Sequence, residues 1–101
     1  DSSLVGGINQ QNLPKEYSLK QNYPNPFNPV TKIEYSLPKN SYATLKIYDI
    51  SGREAGVLID KFETAGNHYV NFDASHLASG IYFYTLNAGA YTETKKMILI
   101  K

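Results

Sequence analysis

Residues 72–86 read FDASHLASGIYFYTL, and the change of character within this stretch decides the fold. Its first part, 73–80, has no period and interrupts any strand before it. Asp73 is placed to cap a single helical turn through its carboxylate. Leu77 is the only large apolar residue of the interruption and is expected to plug the core. Gly80 then opens 81–86, IYFYTL, a continuous apolar and aromatic run. Such a run reads as a strand covered on both faces or nearly so.

The flanking segments alternate. In 31–37, TKIEYSL, Ile33, Tyr35 and Leu37 share one face and Lys32, Glu34 and Ser36 the other, the period of a half-buried strand. In 43–49, ATLKIYD, Ala43, Leu45 and Ile47 point inward, and Thr44, Lys46 and Tyr48 outward. Residues 38–41, PKNS, form the turn between them. Asp49 and Gly52 then frame a type I turn, because Asp suits the first position and Gly the fourth, where positive φ is often needed. Segment 54–60 leads out of that hairpin, 65–67 is another turn, and 68–72 offers Val70 and Phe72 to one face. Residues 87–90, NAGA, turn the chain into its last segment, 91–101.

Upstream, 17–21 alternates briefly and ends at YPNPFNP, residues 23–29. So dense a run of Pro cannot continue a helix or a central strand. It reads as a rigid, extended or turning connection. Residues 1–16 show no period and are rich in Ser, Gly, Asn and Gln, so they read as a linker or frayed terminus ahead of a domain at 17–101. Leu4, Val5 and Ile8 are the residues there able to dock. Position 1 is Asp with no export leader ahead of it, so the chain is expected to be a piece of a larger protein.

About seven short strands with Gly, Pro and Asn turns and no long helix argue for an all-β fold, an antiparallel β-sandwich. In immunoglobulin-like sandwiches a Tyr near the start of the sixth strand anchors the preceding corner, two residues before a Cys. Tyr82 stands at that place, and Tyr84 stands where the Cys would be. The expected fold is therefore immunoglobulin-like, held by aromatic packing without a disulfide.

Composition excludes several function classes. At 101 residues the chain is one small domain. Hydrophobic residues at 42% and charged residues at 19% make it globular rather than disordered. A net charge of +1 argues against nucleic acid as a partner and against polybasic membrane anchoring. The absence of Cys removes disulfides, thiolate metal sites and Cys nucleophiles together. No apolar run approaches the roughly 20 residues of a membrane helix, so the chain is not expected to be embedded.

Catalytic candidates are weak. His68 and His76 lack the spacing of a metal pair, although Asp73 precedes His76 by three residues. Glu34, Asp49, Glu54, Asp60, Glu63, Asp73 and Glu93 are scattered over turns and polar strand faces, which explains them without a catalytic pair. No nucleophile elbow, phosphate loop or calcium loop is present. The expectation is no enzyme, no metal and no cofactor. Tyr48, Tyr69 and Tyr91 are candidates for stacking on sugar rings. The unusual feature is TKKMILIK, 94–101, an apolar strand bracketed by Lys95, Lys96 and Lys101. Flanking lysines either discourage edge pairing or mark a terminal signal.

Residues decide between these at the level of family. YPNPFNP at 23–29 followed by TKIEYSLP at 31–38 resembles the opening of the type IX secretion system C-terminal sorting domain, type A, also called the Por secretion tail. IYDISGRE at 47–54, FDASHLASGIYFY at 72–84 and ETKKMILIK at 93–101 are similar to later motifs of that family in the same order. The resemblance implies an immunoglobulin-like domain at the C-terminus of a Bacteroidetes protein. It implies transit through the periplasm, passage of an N-terminal cargo through the type IX translocon, removal of the tail by a sortase within 1–16, and attachment of the cargo at the outer-membrane surface. By that resemblance Gly80, Tyr82, Lys95, Lys96 and Lys101 carry the sorting signal. Gly56 departs from the family, which more often has an apolar residue, Ala or Thr there. The expected mechanism is presentation of the last strand and its lysines for pairing at a sheet edge, with export lost on deleting 95–101. The alternatives are a structural or carbohydrate-binding β-sandwich appended to a secreted hydrolase, and an assembly scaffold like the immunoglobulin-like domains of flagellar hook-cap proteins.

Overall fold

Alternation along the chain becomes burial. The computed structural model describes residues 13–101, so the expectations for Leu4, Val5 and Ile8 lie outside the described residues. The strands are β1 (Ser18–Leu19), β2 (Val30–Leu37), β3 (Ser41–Tyr48), β4 (Glu54–Glu63), β5 (Gly66–Asp73), β6 (Gly80–Ala88) and β7 (Tyr91–Leu99). Every strand pairing is antiparallel, in two sheets ordered β1-β2-β5 and β4-β3-β6-β7. Ile33, Tyr35 and Leu37 of one sheet face Ala43, Leu45, Ile47, Tyr84, Leu86, Met97 and Leu99 of the other in one core. Three strands stacked on four with β1 against β7 make the sandwich.

The turns follow their residues. At Asp49–Gly52 the Gly52 N–H donates to the Asp49 carbonyl at 2.9 Å, and Gly52 has φ +90°, which only glycine adopts freely. The Asp49 carboxylate also accepts the N–H groups of Ser51 and Arg53 at 2.9 and 3.0 Å. The other turns are tighter than the sequence predicts: Ser41, Gly66, Asn67 and Ala88 already belong to strands.

Two corrections fall in 73–79. No helical turn forms there. The Asp73 carboxylate accepts the Ser75 N–H at 2.9 Å, and the Leu77 N–H closes a β-turn on the Ala74 carbonyl at 2.9 Å. Leu77 is also not the plug. It packs half-buried against the core, and the fully buried residue of the stretch is Ala74, at the turn's first residue. A third correction concerns β6: Tyr82, Tyr84, Leu86 and Ala88 are buried, but Ile81, Phe83 and Thr85 are only half-covered, since among the described residues no layer packs on that face.

Two tyrosines tie the sandwich together. The Tyr82 hydroxyl donates to the Ala78 carbonyl at 2.7 Å and pins the corner that feeds β6. The Tyr84 hydroxyl donates to the Lys20 carbonyl and accepts the Asn22 N–H, both at 2.8 Å, so it links β6 to the chain leaving β1. Burial pushes this hydroxyl up to about 12.

Tyr82→Ala is expected to cost about 3–5 kcal/mol in denaturant unfolding, the range for a buried aromatic truncation. Tyr82→Phe should lose about 1 kcal/mol, the worth of one hydrogen bond. Equal stability of wild type and Tyr82→Ala would contradict the corner. Tyr84 sets an alkaline limb: a tyrosine whose folded pKa is raised from 10.0 to about 12 contributes stability that is lost as pH rises through that window. Tyr84→Phe should flatten the fall in thermal midpoint above pH 10 relative to wild type.

Candidate functional site

The lysine-bracketed end of the chain is the candidate site, and β7 positions it. Neighbouring residues of a strand point to opposite faces, so the lysines do not form the cluster their spacing implied. Lys96 lies opposite Phe83 on the outer face of the four-stranded sheet and is exposed. Lys95 lies opposite Tyr84 on the other face, where its ammonium sits 3.3 Å from Glu93. Glu93 in turn accepts the Tyr91 hydroxyl, and burial and this carboxylate push Tyr91 up to about 12. Lys101 is folded back: its Nζ donates to the Ser75 carbonyl at 2.6 Å and its N–H to the Ser79 hydroxyl at 3.0 Å. The chain end is thereby tied to the loop that begins at Asp73. Gly80 pairs with Leu99 at φ +153°, a conformation that disfavours other residues, and Tyr82 pairs with Met97.

The outer edge of β7 is already occupied. The 23–29 connection turns, with cis peptide bonds before Pro24, Pro26 and Pro29, and brings Phe27 beside Leu99 in a parallel bridge. The Phe27 N–H donates to the Ile98 carbonyl at 3.0 Å, and the Ile100 N–H donates to the Phe27 carbonyl at 2.9 Å. The Asn25 side chain accepts the Ile98 N–H, and the Gln21 amide donates to the Lys96 carbonyl. The Phe27 ring is buried, 6.2 Å from that of Phe72. A buried polar knot holds the start of this cover: Asn22 donates to Pro24 and Thr31, and Thr31 donates to Pro24. The expectation that the last strand offers its edge for pairing is therefore corrected. Its C-terminal half is capped by the chain's own Pro-rich segment.

The other candidates separate in space. Tyr48 is half-buried opposite Phe83 on the outer face of the four-stranded sheet, Tyr69 is exposed on the other sheet under the Lys32 ammonium, and Tyr91 stacks on Tyr17 at 5.2 Å. These three tyrosines share no platform for a sugar ring. Among the described residues no group of three His, Cys, Asp or Glu side chains is arranged to hold a metal ion.

One group escaped the sequence reading. Glu63 is buried, with its carboxylate 2.9 Å from the Tyr35 hydroxyl and 3.0 Å from His68 Nδ1. Tyr35 and His68 stack at 5.4 Å, and His68 Nε2 lies 2.7 Å from the Thr64 carbonyl. Burial, reinforced by the Glu63 carboxylate, holds the Tyr35 hydroxyl well above the usual phenol range. The group joins β2, β4 and β5 at the hairpin end.

The carboxylates of the turns and of β7 define an acid limb. Hydrogen bonds from the Ser51 hydroxyl and the Arg53 N–H hold Asp49 below the ordinary range, and the Ser75 N–H does the same for Asp73. The Tyr91 hydroxyl and Lys95 lower Glu93. Depressed carboxylates contribute stability that is present above the unfolded pKa, about 4, and is lost as pH falls through the folded values. Thermal unfolding of Asp49→Asn with Asp73→Asn should therefore depend less on pH below 4 than that of wild type, and an unchanged acid limb would contradict these bonds.

Known proteins are similar in sequence and in fold. Residues 21–101 match the family described as the secretion system C-terminal sorting domain. No curated protein matches the chain. Among solved structures, PorZ of Porphyromonas gingivalis, described as an essential bacterial surface component of the type-IX secretion system, superposes with a TM-score of 0.57 at 19% identity. The match takes in 95% of this chain and 12% of PorZ, so the likeness is one of fold to a small part of a larger protein. With the family match running from the Pro-rich cover to the last lysine, the chain belongs to the secretion system C-terminal sorting domain family.

Proposed function

We propose that residues 17–101 direct an N-terminal cargo of the same precursor from the periplasm through the type IX translocon. Residues 1–16 serve as the linker that a sortase component cuts, which leaves the cargo at the outer-membrane surface or outside the cell. The domain acts by being recognised and carries out no catalysis. The observation that carries this reading is the family match over 21–101, which takes in β2 to β7 and the lysine-bracketed end.

On this reading the signal residues divide the labour. Gly80 and Tyr82 hold the hairpin that supports β7. Lys101 locks the chain end onto the 73–79 loop, and Lys95 is engaged by Glu93. Of these three lysines Lys96 is the one on the open sheet face, next to Phe83, and is the residue a receptor reads directly.

Deleting 95–101 is a poor test, because it removes Met97 and Leu99 from the core. Point variants separate signal from stability. The chain fused behind a folded reporter in a type IX-competent host should place the reporter at the surface. Lys96→Glu should cut surface reporter at least about tenfold, a loss of roughly 1.4 kcal/mol in recognition, with the thermal midpoint unchanged. Lys46→Glu, on the same face, serves as the charge control. Full export of Lys96→Glu would overturn the role of Lys96, and failure of the wild-type fusion to reach the surface would overturn sorting itself.

A further inference from the structure

The sandwich is stitched on one side and open on the other. On the β1/β7 side, Tyr84, Gln21 and the Phe27 cover join the two sheets. On the β4/β5 side the hairpin at 64–65 and the Glu63 group join them at one end. Three strands lie over four with β1 against β7, which leaves β4 the outermost strand of the larger sheet, where Ala55, Leu58 and Ile59 are only partly buried against the core. Burial agrees. Lys61 lies directly opposite Ala43 and so shares its inward face, yet Ala43 is fully buried and the Lys61 side chain is 68% exposed, its ammonium 4.0 Å from the Glu63 carboxylate and open to a further acid on its solvent side. A cleft of about 360 Å³ opens here between Ile59, Lys61 and Phe62 on β4 and His68 and Tyr69 on β5.

Among the described residues nothing pairs with the β5 edge above this shelf. The Lys20 N–H donates to Glu34, and Tyr23 and Lys32 exchange both backbone bonds, so even-numbered β2 residues face β1. Odd-numbered ones face β5, where they meet Gly66, His68, Val70 and Phe72. Asn67, Tyr69 and Asn71 therefore aim their backbone groups away from the sheet. The other edges are guarded in the ways natural sheets use: β1 has two residues, β7 is capped over its C-terminal half by Phe27, and β4 has two register breaks against β3 and the inward Lys61. The β5 register with β2 is unbroken over eight residue pairs and carries no Lys and no Pro.

We infer that the open β4/β5 side takes one extended peptide strand from another protein. The strand pairs with the free backbone of Asn67, Tyr69 and Asn71, sets apolar side chains over Ile59, and brings an acidic side chain to Lys61. A second copy of this chain does not fit, because its β5 would carry its own β4 shelf into the same space. The surface stands independently of the sorting reading.

The probes are two peptides, acetyl-TVTETVT-amide and its Lys counterpart acetyl-TVTKTVT-amide, titrated into the 15N-labelled chain. The Glu peptide should shift the amides of Asn67, Tyr69 and Asn71 and slow their hydrogen exchange, and the Lys peptide should bind at least about tenfold more weakly. Lys61→Glu should reverse that preference. Asn71→Pro, at a position whose N–H has no partner within the domain, should weaken binding with the fold intact. No response of these amides up to about 1 mM peptide, the floor of measurable affinity, overturns the inference, as does an equal response to both peptides. Self-association without peptide that Asn71→Pro abolishes assigns the edge to a second copy and overturns it too.

Discussion

The Tyr84 hydroxyl, held between the Lys20 carbonyl and the Asn22 N–H, is the interaction on which the rest of the structure depends. An immunoglobulin domain closes its two sheets with a disulfide near this position. A chain without Cys must close them otherwise, and a buried phenol does so with two hydrogen bonds and a ring of core volume. Without it the buried Asn22 N–H would be left stranded at about 1–3 kcal/mol. Because Tyr84 holds residues 20–22, the Pro-rich segment starts from a fixed point, supported by the Asn22–Thr31–Pro24 knot. From there Phe27 reaches β7 and caps it. The two ends of the domain are thus joined: the first motif of the family, YPNPFNP, covers the last, MILIK.

That join explains how the domain ends on an apolar strand without exposing an aggregation-prone edge there. Met97 and Leu99 face the core, Ile98 and Ile100 exchange backbone bonds with Phe27, and Lys101 is tied to the 73–79 loop. What remains for a partner to read is a folded surface, with Lys96 on one face. The β4/β5 side, stitched at a single end, is where the same sandwich leaves backbone unpaired.

Much of this was legible in residue order. The inward sets Ile33, Tyr35, Leu37 and Ala43, Leu45, Ile47 follow from period two, and Tyr82 follows from its distance to the Gly80 strand opening. The separation of Lys95 from Lys96 follows from the same period, although adjacency in sequence suggests a cluster. Leu77 and Ala74 exchanged roles because side-chain size does not say where a turn dips toward the core. Glu63 was hidden for two reasons. Register breaks in β4 shift its parity, and a carboxylate reads as surface until a tyrosine and a histidine close on it. The Pro-rich cover was legible as a turning connection, but its target was not, because Phe27 and Leu99 are far apart in sequence and meet only through the fold.

Native-state hydrogen exchange tests the central claim, that the first motif caps the last strand, most directly. The amides of Phe27, Ile98 and Ile100 each donate across the cover, to Ile98, Asn25 and Phe27. Their exchange should be protected to nearly the same free energy as the core amides of β3 and β6, and Tyr84→Phe should lower the protection of all three together. Exchange of these three at the rates of an unstructured peptide, with the β3 and β6 amides still protected, would contradict it.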